Sequence, residues 1–418
     1  MSNPPSNYWL LIRQRFLKNS RAKWSVRALL LLMGIAILGD FIAGEIPIYC
    51  KYENQAYFPV FKKQAVDWGI SHWQKPFQNV NWKELSYQQV IYPLIPYSGS
   101  RMDINNSNYK SPFDQQQISS WRYRHWLGTD DLGRDVAAGL IEGLRIALKV
   151  GLLSMLLASF IGILLGGMAG YFGDESFLLS RGRLFLNIIA LFCSIHLGFI
   201  ARSYPLTEGV FFWEVLKSLG IVLIIFLTAN FLARWIERLP FLSKPVALPI
   251  DLMVMRLIEV LNAIPGLLLI LAIAAVIQTE TFYTLIFIIG ILYWTGIARF
   301  IRAELLKVRS MDYIQSTKAM GFSQWRILFR HALPNAIGPV LIVVAFGISS
   351  AILAEATLSF LGIGVPQGPI TWGKLLEKAR SASHAWWLAF FPGLAIFSLV
   401  LIFNLIGEGL KEAIDSKD

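Results

Sequence analysis

Apolar runs alternate with shorter polar segments along most of the chain. The runs lie near residues 25–43, 140–171, 184–201, 215–232, 253–277, 281–300, 336–361 and 387–406. An α-helix needs about 20 predominantly apolar residues to cross a hydrocarbon core of about 30 Å. Several runs reach this length, so the pattern predicts an all-α polytopic membrane protein with about eight spans. The run at 140–171 exceeds one membrane thickness, which predicts a tilted or protruding helix.

One polar stretch interrupts this pattern between the first two runs. Residues 44–136 contain no 18-residue apolar run, carry charges of both signs and are rich in Tyr, Trp, Asn, Gln and Pro. They predict a water-exposed domain, with a weak strand signal in segments such as Val90-Ile91-Tyr92. Long loops cross membranes largely regardless of their charge, so the basic residues of this stretch agree with an external position.

Basic residues beside the apolar runs predict the orientation of the chain. Arg13, Arg15, Lys18, Arg21 and Lys23 precede the first run, and no small-residue cleavage pattern follows it. Residues 302–335 contain six further Lys and Arg residues. Short cytoplasmic loops carry such an excess. We therefore expect a cytoplasmic tail, an uncleaved first anchor and both termini in the cytoplasm.

Composition narrows the classes of function. The chain is 55% hydrophobic and 16% charged, whereas soluble domains are about 25% charged. The formal net charge of +11 is concentrated beside the spans, so we attribute it to membrane topology and not to nucleic-acid binding. Neither Cys50 nor Cys193 belongs to a Cys/His pair with zinc-ligand spacing, so no metal site is predicted.

The segment Met311–Asn335 predicts two short helices broken at a glycine. Asp312 favours a helix start, Gly321 permits the left-handed conformation that ends a helix, and Ser323 is a fair N-cap for a second helix. Pro334 then allows the next span to begin. A compact helix-turn-helix of this kind on the cytoplasmic face is shaped to fill a groove in a partner.

This segment resembles the EAA loop of ABC importer permeases, in which Glu-Ala-Ala is followed by Gly and then by Leu-Pro. Gly321 and Leu333-Pro334 match the spacing, whereas polar residues stand at the Glu-Ala-Ala positions. This departure weakens the expected acidic contact at the first of them but keeps the helix-Gly-helix shape. The resemblance implies an ATPase-coupling loop at 311–335 that comprises Asp312, Gln315, Ser316, Thr317, Ala319, Gly321, Trp325, Arg326, Leu333 and Pro334.

Three other stretches are similar to the C-type permease subunit of dipeptide and oligopeptide importers. They are His125–Asp135, which is similar to the pattern L-G-T-D-x-L-G-R-D, Ala354–Pro366 followed by Thr371-Trp372-Gly373, and Phe403–Asp415. The enlarged external segment is similar to that of the microcin-C and oligopeptide-like subgroup. The stretch Asp174–Leu248 contains the third and fourth predicted spans as a membrane hairpin. The usual six-span subunit lacks this stretch, and we interpret it as an insertion.

The resemblance implies a type I ABC importer permease-like bundle that moves peptides or peptide-like solutes across the bacterial inner membrane. The predicted parts are a cytoplasmic tail at 1–24, an anchor at 25–43, a periplasmic domain at 44–136, a second span at 137–173, an inserted hairpin at 174–248 and a permease core at 249–418. The implied partners are a second homologous permease subunit, two ABC ATPase subunits and a periplasmic or lipid-anchored solute-binding protein. ATP and Mg would be bound by the ATPases, and no cofactor is expected in this chain.

Small residues and one motif predict local packing at the membrane edge. Gly162, Gly166 and Gly170 lie at four-residue spacing on one helix face and predict a helix-packing seam. In the motif at the periplasmic edge, we expect the threonine and the first aspartate to cap the second span, and the arginine to pair with the last aspartate. Contact with the binding protein is the alternative. The motif comprises Gly128, Thr129, Asp130, Gly133, Arg134 and Asp135.

A few residues within the spans stand out from their apolar surroundings. Glu355 is a candidate intramembrane polar site, which either bonds a neighbouring helix terminus or contacts the solute. Pro265 and Gly266 predict a bend in the helix that follows them. Trp386 and Trp387 open the last span and predict an interfacial aromatic belt.

Rival functions find less support in the residues. Gly368–Leu375 has the spacing of a phosphate-binding loop but ends in Leu, so the hydroxyl that would hold magnesium is absent. No pattern indicates a nucleophile with its base, so we expect no enzyme activity and no catalytic residue. An ion-coupled secondary transporter would place carboxylates in mid-membrane and show repeated halves, and the spans hold few such acids. That carrier class and an ABC permease for a solute such as chelated nickel remain the alternatives.

Overall fold

The computed structural model describes residues 4–67, 69–73, 77, 80–202, 211–277, 282–363 and 369–415. Most of these residues are helical, which confirms the all-α polytopic prediction. Parts of several predicted features lie outside the described residues. They are the ends of the cytoplasmic tail and of the permease core, part of the predicted hairpin, Gly364–Pro366 of the second motif, and Gly368 of the rejected phosphate-binding loop.

The described helices follow one another in this order along the chain. They are α1 (Pro4–Lys18), α2 (Ser20–Ile37), α3 (Gly39–Ile42), α4 (Pro59–Asp67), α5 (Val136–Phe172), α6 (Arg181–Ile195), α7 (Phe211–Ile236), α8 (Ile250–Asn262), α9 (Gly266–Ile277), α10 (Phe282–Arg309), α11 (Asp312–Ala319), α12 (Gln324–Ile327), α13 (Leu333–Phe360), α14 (Trp372–Ser381) and α15 (Trp386–Asp415). The strands are β1 (Tyr49–Tyr52), β2 (Gln55–Tyr57), β3 (Gln89–Ile91), β4 (Leu178–Ser180) and β5 (Pro245–Ala247).

Six helical stretches among the described residues are long and apolar enough to cross a membrane. A seventh span results if α8 and α9, which meet at an angle of 83°, are counted together. The predicted first anchor corresponds to α2 and α3. Helix α2 has 18 residues but includes Arg21, Lys23 and Arg27, so its apolar part is shorter than that of the other spans.

The chain divides into two compact units, residues 1–167 with 259–418, and residues 168–258. In the first unit, α13 packs against α10 and α15, and α15 also packs against α2. Ile288, Ile289, Ile297 and Ile301 on α10 are fully buried in this packing. The continuous apolar character of α13 and α15 is explained by their position between other helices and lipid.

Two of the glycines in the predicted seam lie where helix backbones meet. A Cβ atom on Gly162 would lie 2.8 Å from Ile297 Cβ, and one on Gly166 would lie 2.3 Å from the Ala298 carbonyl oxygen. A side chain at either position would therefore push α5 away from α10. Gly170 belongs to the second unit.

The predicted external domain contains a small antiparallel sheet in the order β2-β1-β3. Cys50 of β1 pairs with Tyr57 of β2 and with Val90 of β3, so the weak strand signal around Val90 corresponds to a short strand. Aromatic side chains pack beside the sheet, among them the rings of Phe77 and Trp82, which stack at 5.1 Å. Most other described residues of this domain form turns and loops.

The second unit contains the end of α5, most of α8 and, between them in the chain, a helical hairpin that lies within residues 174–248. Helices α6 and α7 pack together, and the antiparallel pair of β4 and β5 closes their base. Ala190, Ser194 and Gly198 recur at four-residue spacing and are buried. Between the helices, Asn230 Nδ2 donates a hydrogen bond to Asn187 Oδ1 at 3.0 Å. Small residues and a polar pair therefore join these two helices, as in other membrane helix pairs.

Candidate functional site

The predicted coupling loop, which we call the coupling segment (residues 311–335), begins with α11. Asp312 lies in the first turn, where a carboxylate is favourable because the helix dipole is positive there. Gln315 Nε2 donates a hydrogen bond to the Arg309 carbonyl at 2.9 Å, which ties α11 to the end of α10. Ser316 Oγ and Thr317 Oγ1 bond carbonyls within the same turns. These polar side chains are thus engaged locally.

Gly321 ends α11 in the left-handed conformation, with φ of +77°. The Gly321 N–H bonds the Lys318 carbonyl at 2.9 Å, and the Phe322 N–H bonds the Thr317 carbonyl at 3.4 Å. This pair of reversed bonds is the Schellman arrangement that closes a helix at glycine. A Cβ atom on Gly321 would meet nothing within 4 Å, so the backbone conformation is the constraint at this position.

The second predicted helix is not a separate short element, and that part of the prediction is wrong. Ser323 occupies the N-cap position of α12 without a side-chain bond to the helix. Helix α12 continues through a π-helical turn, Leu328–Ala332, into α13. Pro334 lacks the backbone N–H that would donate a hydrogen bond to a carbonyl one turn earlier. The wider π-helical turn before Pro334 tolerates the absence of this hydrogen bond, so the helix continues without a break.

Several contacts hold α11 against this long helix. Asn335 Nδ2 donates a hydrogen bond to Tyr313 Oη at 3.1 Å. The Phe322 and His331 rings stack at 6.3 Å. Ile314 of α11 and Ile327 of α12 are fully buried. The turn at Gly321 between α11 and α12, which we call the crease, is therefore packed on the side where these two helices meet.

The outer side of the coupling segment is apolar and basic. Met320 is 63% exposed, and Trp325 and Phe329 are 46% and 54% exposed, with their rings stacked at 5.8 Å. The Arg326 guanidinium lies 4.8 Å from the centre of the Phe322 ring. Exposed aromatic side chains next to an arginine are typical of the centre of a protein interface.

A cavity of about 440 Å³ opens in the membrane part of the first unit, beside the bend between α8 and α9. The lining contains polar residues among apolar ones, and some of the polar residues contact each other. Tyr293 Oη is 3.4 Å from the Ser350 carbonyl, and Thr295 Oγ1 is 3.4 Å from Asn262 Oδ1. The lining includes Met155, Asn262, Pro265, Gly266, Tyr293, Thr295, Arg299, Val343, Gly347 and Ser350. Apart from Pro265 and Gly266, at which a bend was predicted, none of these residues was predicted to line a site.

Glu355 has local partners and lies outside the lining of this cavity. The residue is 2% exposed, and Ser359 Oγ donates a hydrogen bond to Glu355 Oε1 at 2.7 Å. The Thr371 side chain also hydrogen-bonds the carboxylate. Thr371 Oγ1 accepts the Lys374 N–H at 3.2 Å as the N-cap of α14. Glu355 thus joins α13 to the start of α14.

The periplasmic-edge motif caps the second span through its last residue. Asp135 Oδ1 accepts the Ala138 N–H at 2.7 Å, one turn into α5. Asp135 Oδ2 is hydrogen-bonded to His125 Nδ1 at 2.7 Å, and His125 Nε2 is 3.3 Å from Asp103 Oδ2. His125 is fully buried. One imidazole therefore joins the start of α5 to a loop of the predicted external domain.

The predicted caps and the predicted ion pair of this motif are wrong. Thr129 Oγ1 donates to the Asn106 carbonyl at 2.7 Å instead of capping α5. Asp130 closes its own turn, since it accepts Arg134 Nε at 2.6 Å and the Arg134 N–H at 2.9 Å. Arg134 thus pairs with Asp130 and not with Asp135. The side chains of Thr129, Asp130 and Arg134 therefore stabilise the loop that precedes α5 and do not cap the helix.

The two glycines of this motif sit where the chain is crowded. Gly128 and Gly133 have φ of +82° and +78°, and a Cβ atom on Gly133 would lie 1.9 Å from the Asp103 carbonyl oxygen. Trp387 Nε1 donates to the Thr129 carbonyl at 3.0 Å, and Trp387 is 2% exposed. The predicted interfacial belt is therefore wrong for Trp387, which joins the last span to the motif.

Comparison with known proteins matches residues 248–417 to the family described as binding-protein-dependent transport system inner membrane component. The chain is 31% identical to the glutathione transport system permease protein GsiD of Pectobacterium atrosepticum over 70% of this chain and 73% of that protein. It is 26% identical to the inner membrane ABC transporter permease protein YejE of Escherichia coli over 96% of this chain and 95% of that protein.

A third relative, the dipeptide transport system permease protein DppC of Alkalihalophilus pseudofirmus, is 26% identical over 83% of this chain and 91% of its own length. The match to YejE covers nearly the whole chain and so extends well beyond the family region at the C-terminal end. The comparisons agree with the permease-like bundle and the inner membrane that the resemblance implied, and with the multi-pass character that the apolar runs predicted. The chain therefore belongs to the inner-membrane permease subunits of binding-protein-dependent ABC transporters.

Proposed function

We propose that this chain is one of two homologous permease subunits of an ATP-driven importer for peptides. The observation that supports it best is a continuous helical stretch, Gln324–Phe360. It contributes Trp325 and Arg326 to the coupling segment and Val343, Gly347 and Ser350 to the lining of the membrane cavity. At 1.5 Å per residue, about 27 Å of helix separates Trp325 from Val343.

A second helix makes the same connection. Helix α10 lines the cavity through Tyr293, Thr295 and Arg299 and ends at Arg309, directly before α11. Helix α11 is bonded to both long helices, through Gln315 to α10 and through Tyr313 to the helix that contains Asn335. A displacement applied to α11 would therefore move two walls of the cavity together, because packed helices shift as rigid units.

The chemistry of the cavity suits a peptide as the solute. Its lining combines residues that carry hydroxyl, amide and guanidinium groups with apolar ones, and the polar ones include Tyr293, Thr295, Asn262 and Arg299. Such groups can bond peptide carbonyls and amides, and the apolar wall accepts varied side chains. The names of the relatives, which include peptide, dipeptide and glutathione permeases, support the same class of solute. In this proposal the second permease completes the pathway.

The partners follow from the same arrangement. Two ABC ATPase subunits would dock on the cytoplasmic coupling segments, bind ATP and Mg, and close to drive the cycle, while a solute-binding protein delivers peptide on the external side. No cofactor is proposed for this chain. Both termini would lie in the cytoplasm, with residues 44–136 outside.

The test is reconstitution of this chain with a second permease and two ATPases in proteoliposomes that contain ATP. We expect binding-protein-dependent peptide uptake that persists when the proton gradient is collapsed and stops when ATP is omitted. Uptake that follows the proton gradient and ignores ATP would contradict the proposal. Labelling of a single cysteine introduced at Met320 tests orientation, and access from the external side would contradict the docking of ATPases there.

A further inference from the structure

The predicted external domain contains a second cavity, whose described lining includes no residue of the periplasmic-edge motif and none of the membrane cavity. It has a volume of about 580 Å³ and is lined by Lys83, Tyr97, Arg101, Asp103, Ile104 and Tyr123, among others. This volume lies within the range of about 300–1,000 Å³ that small-molecule sites occupy. The cleft combines rings, charges of both signs and apolar side chains.

Lys83 is the most informative residue of this cleft. Its ammonium lies 3.9 Å from the centre of the Tyr97 ring and 5.5 Å from that of Tyr123. Within the residues that the structure describes, the Lys83 ammonium makes no hydrogen bond and no ion pair. Burial lowers the pKa of the Lys83 ammonium below its ordinary value. Glu45, Asp103 and Asp135 act on this ammonium only through space, so a half-buried cation whose direct contacts are aromatic faces still has its hydrogen-bond donors available for an anionic ligand.

The one carboxylate that lines the cleft is already engaged elsewhere. Asp103 Oδ2 accepts from Asn106 Nδ2 at 2.9 Å and lies 3.3 Å from His125 Nε2. Arg101 forms an ion pair with Glu45 at 3.4 Å and keeps 42% of its side chain exposed. The carboxylates of Glu45, Asp103 and Asp135 interact electrostatically with Lys83, but each has another partner, in Arg101, Asn106 or His125. The donors left to bond an anion are therefore the Lys83 ammonium inside the cleft and the exposed part of Arg101 at its edge.

We propose that this cleft binds the terminal carboxylate of a short peptide, with Lys83 as its charged anchor and Tyr97 as the ring that holds the Lys83 ammonium in place. Tyr97 is held in place because its hydroxyl donates to the Tyr123 carbonyl at 2.9 Å. Ile104 and Met102 at the rim are 83% and 52% exposed and offer apolar contact to peptide side chains. This inference rests on the proposed function, since it makes the external domain a holding site for the same solute.

The cleft is better suited to the terminal carboxylate of a peptide than to a group on the surface of a folded protein. Tyr97 is 6% exposed and Lys83 lies over its ring, so the cation is recessed. A free chain end can enter such a recess, and there it exchanges its hydration shell for a charge-assisted bond. A carboxylate there would also offset the loss of hydration that lowers the pKa of Lys83.

The experiment measures binding of trialanine to the assembled transporter in nanodiscs, without the binding protein, by isothermal titration calorimetry. Trialanine amide is the second ligand, since it lacks the terminal charge. We expect the amide to bind at least about tenfold more weakly, because one charge-assisted bond is lost. Lys83→Gln should weaken trialanine binding by a similar factor, and Lys83→Arg should retain most of it. Lys62→Gln is the matched control, since Lys62 lies in α4 outside this cleft.

Two outcomes would overturn the inference. They are equal binding of trialanine and its amide, and unchanged trialanine binding by Lys83→Gln. Thermal unfolding of each variant checks that the external domain is intact. ATP-dependent uptake by the same preparation separates the two proposals: uptake without binding at the cleft refutes this inference alone, whereas absence of uptake by wild type refutes the proposed function.

Discussion

Replacement of Gly321 tests whether the crease in the coupling segment transmits motion. At φ of +77°, a residue with a Cβ atom costs about 1–2 kcal/mol in the left-handed conformation. No atom lies within 4 Å of the place that this Cβ would occupy, so the whole cost is in the backbone. This cost would lower the population of the closed Schellman turn, relative to forms in which the turn is open, by about 5- to 30-fold. We expect the series Asn, Ala, Val to be increasingly harmful, because Asn tolerates this conformation best and β-branched residues worst.

The assay compares peptide uptake with ATP hydrolysis in proteoliposomes that contain the assembled transporter. Gly321→Val should insert and assemble normally but lower the uptake per ATP hydrolysed by about fivefold or more. Gly69→Val is the matched control, since Gly69 also has a positive φ, of +72°, with no atom within 4 Å, but lies in the external domain. Normal coupling in Gly321→Val would refute the reasoning. Equal uncoupling in Gly69→Val would show that general backbone strain, and not the crease, is responsible.

Three other predictions concern packing, the buried imidazole and pH. Gly166→Leu should prevent stable assembly, because its Cβ would lie 2.3 Å from the Ala298 carbonyl oxygen. Gly167→Ala should be tolerated, because the nearest atom to its Cβ lies at 3.8 Å. Size-exclusion profiles of the two purified complexes test this difference. His125→Ala leaves the buried Asp135 and the partly exposed Asp103 without their shared partner. It should lower the free energy of unfolding by about 3 kcal/mol, whereas the exposed His72→Ala should lower it by less than about 0.5 kcal/mol, as measured by thermal unfolding. Because burial lowers the pKa of Lys83 from its ordinary 10.5, trialanine binding should decrease as pH rises through a value below 10.5; a titration by calorimetry checks this, and unchanged binding up to pH 10.5 would contradict it.

The spans and the crease could be predicted because their causes are local. An apolar run of sufficient length has few alternatives to a membrane helix, and the runs near 140–171 and 336–361 correspond to α5 and α13. A glycine that follows a helix-favouring segment commonly adopts the left-handed conformation, as Gly321 does. Neither inference requires knowledge of distant parts of the chain.

The errors arose where tertiary contacts decide between chemically equivalent residues. Thr129, Asp130 and Asp135 are all good N-cap residues by type, but the loop around Asn106 engages Thr129 and only Asp135 reaches the first turn of α5. The π turn before Pro334 was missed for a different reason. A proline near a predicted helix start fits a new helix as well as a continued one.

The membrane cavity lay beyond sequence reasoning because its lining comes from segments far apart in the chain. Met155 on α5, Asn262 on α8 and Ser350 on α13 meet only in the folded protein. Each is an ordinary residue in its own helix, since single polar residues in spans commonly bond a neighbouring helix. The break at Pro265-Gly266 was the one local signal, and it showed where a helix bends without showing what the bend exposes.

The coupling segment keeps the fold of the loop although it lacks the Glu-Ala-Ala residues, so different residues determine the fold of the loop and the chemistry of its contact surface. The shape depends on Gly321, which closes α11, and on Ile314 and Ile327, which are buried beneath it. Gln315, at the position of the expected glutamate, bonds the Arg309 carbonyl, so its side chain supports the same fold without a negative charge. The outer surface is left apolar and basic. An ATPase that fits it should therefore present a groove with fewer cations than one adapted to an acidic loop, because like charges across an interface oppose binding.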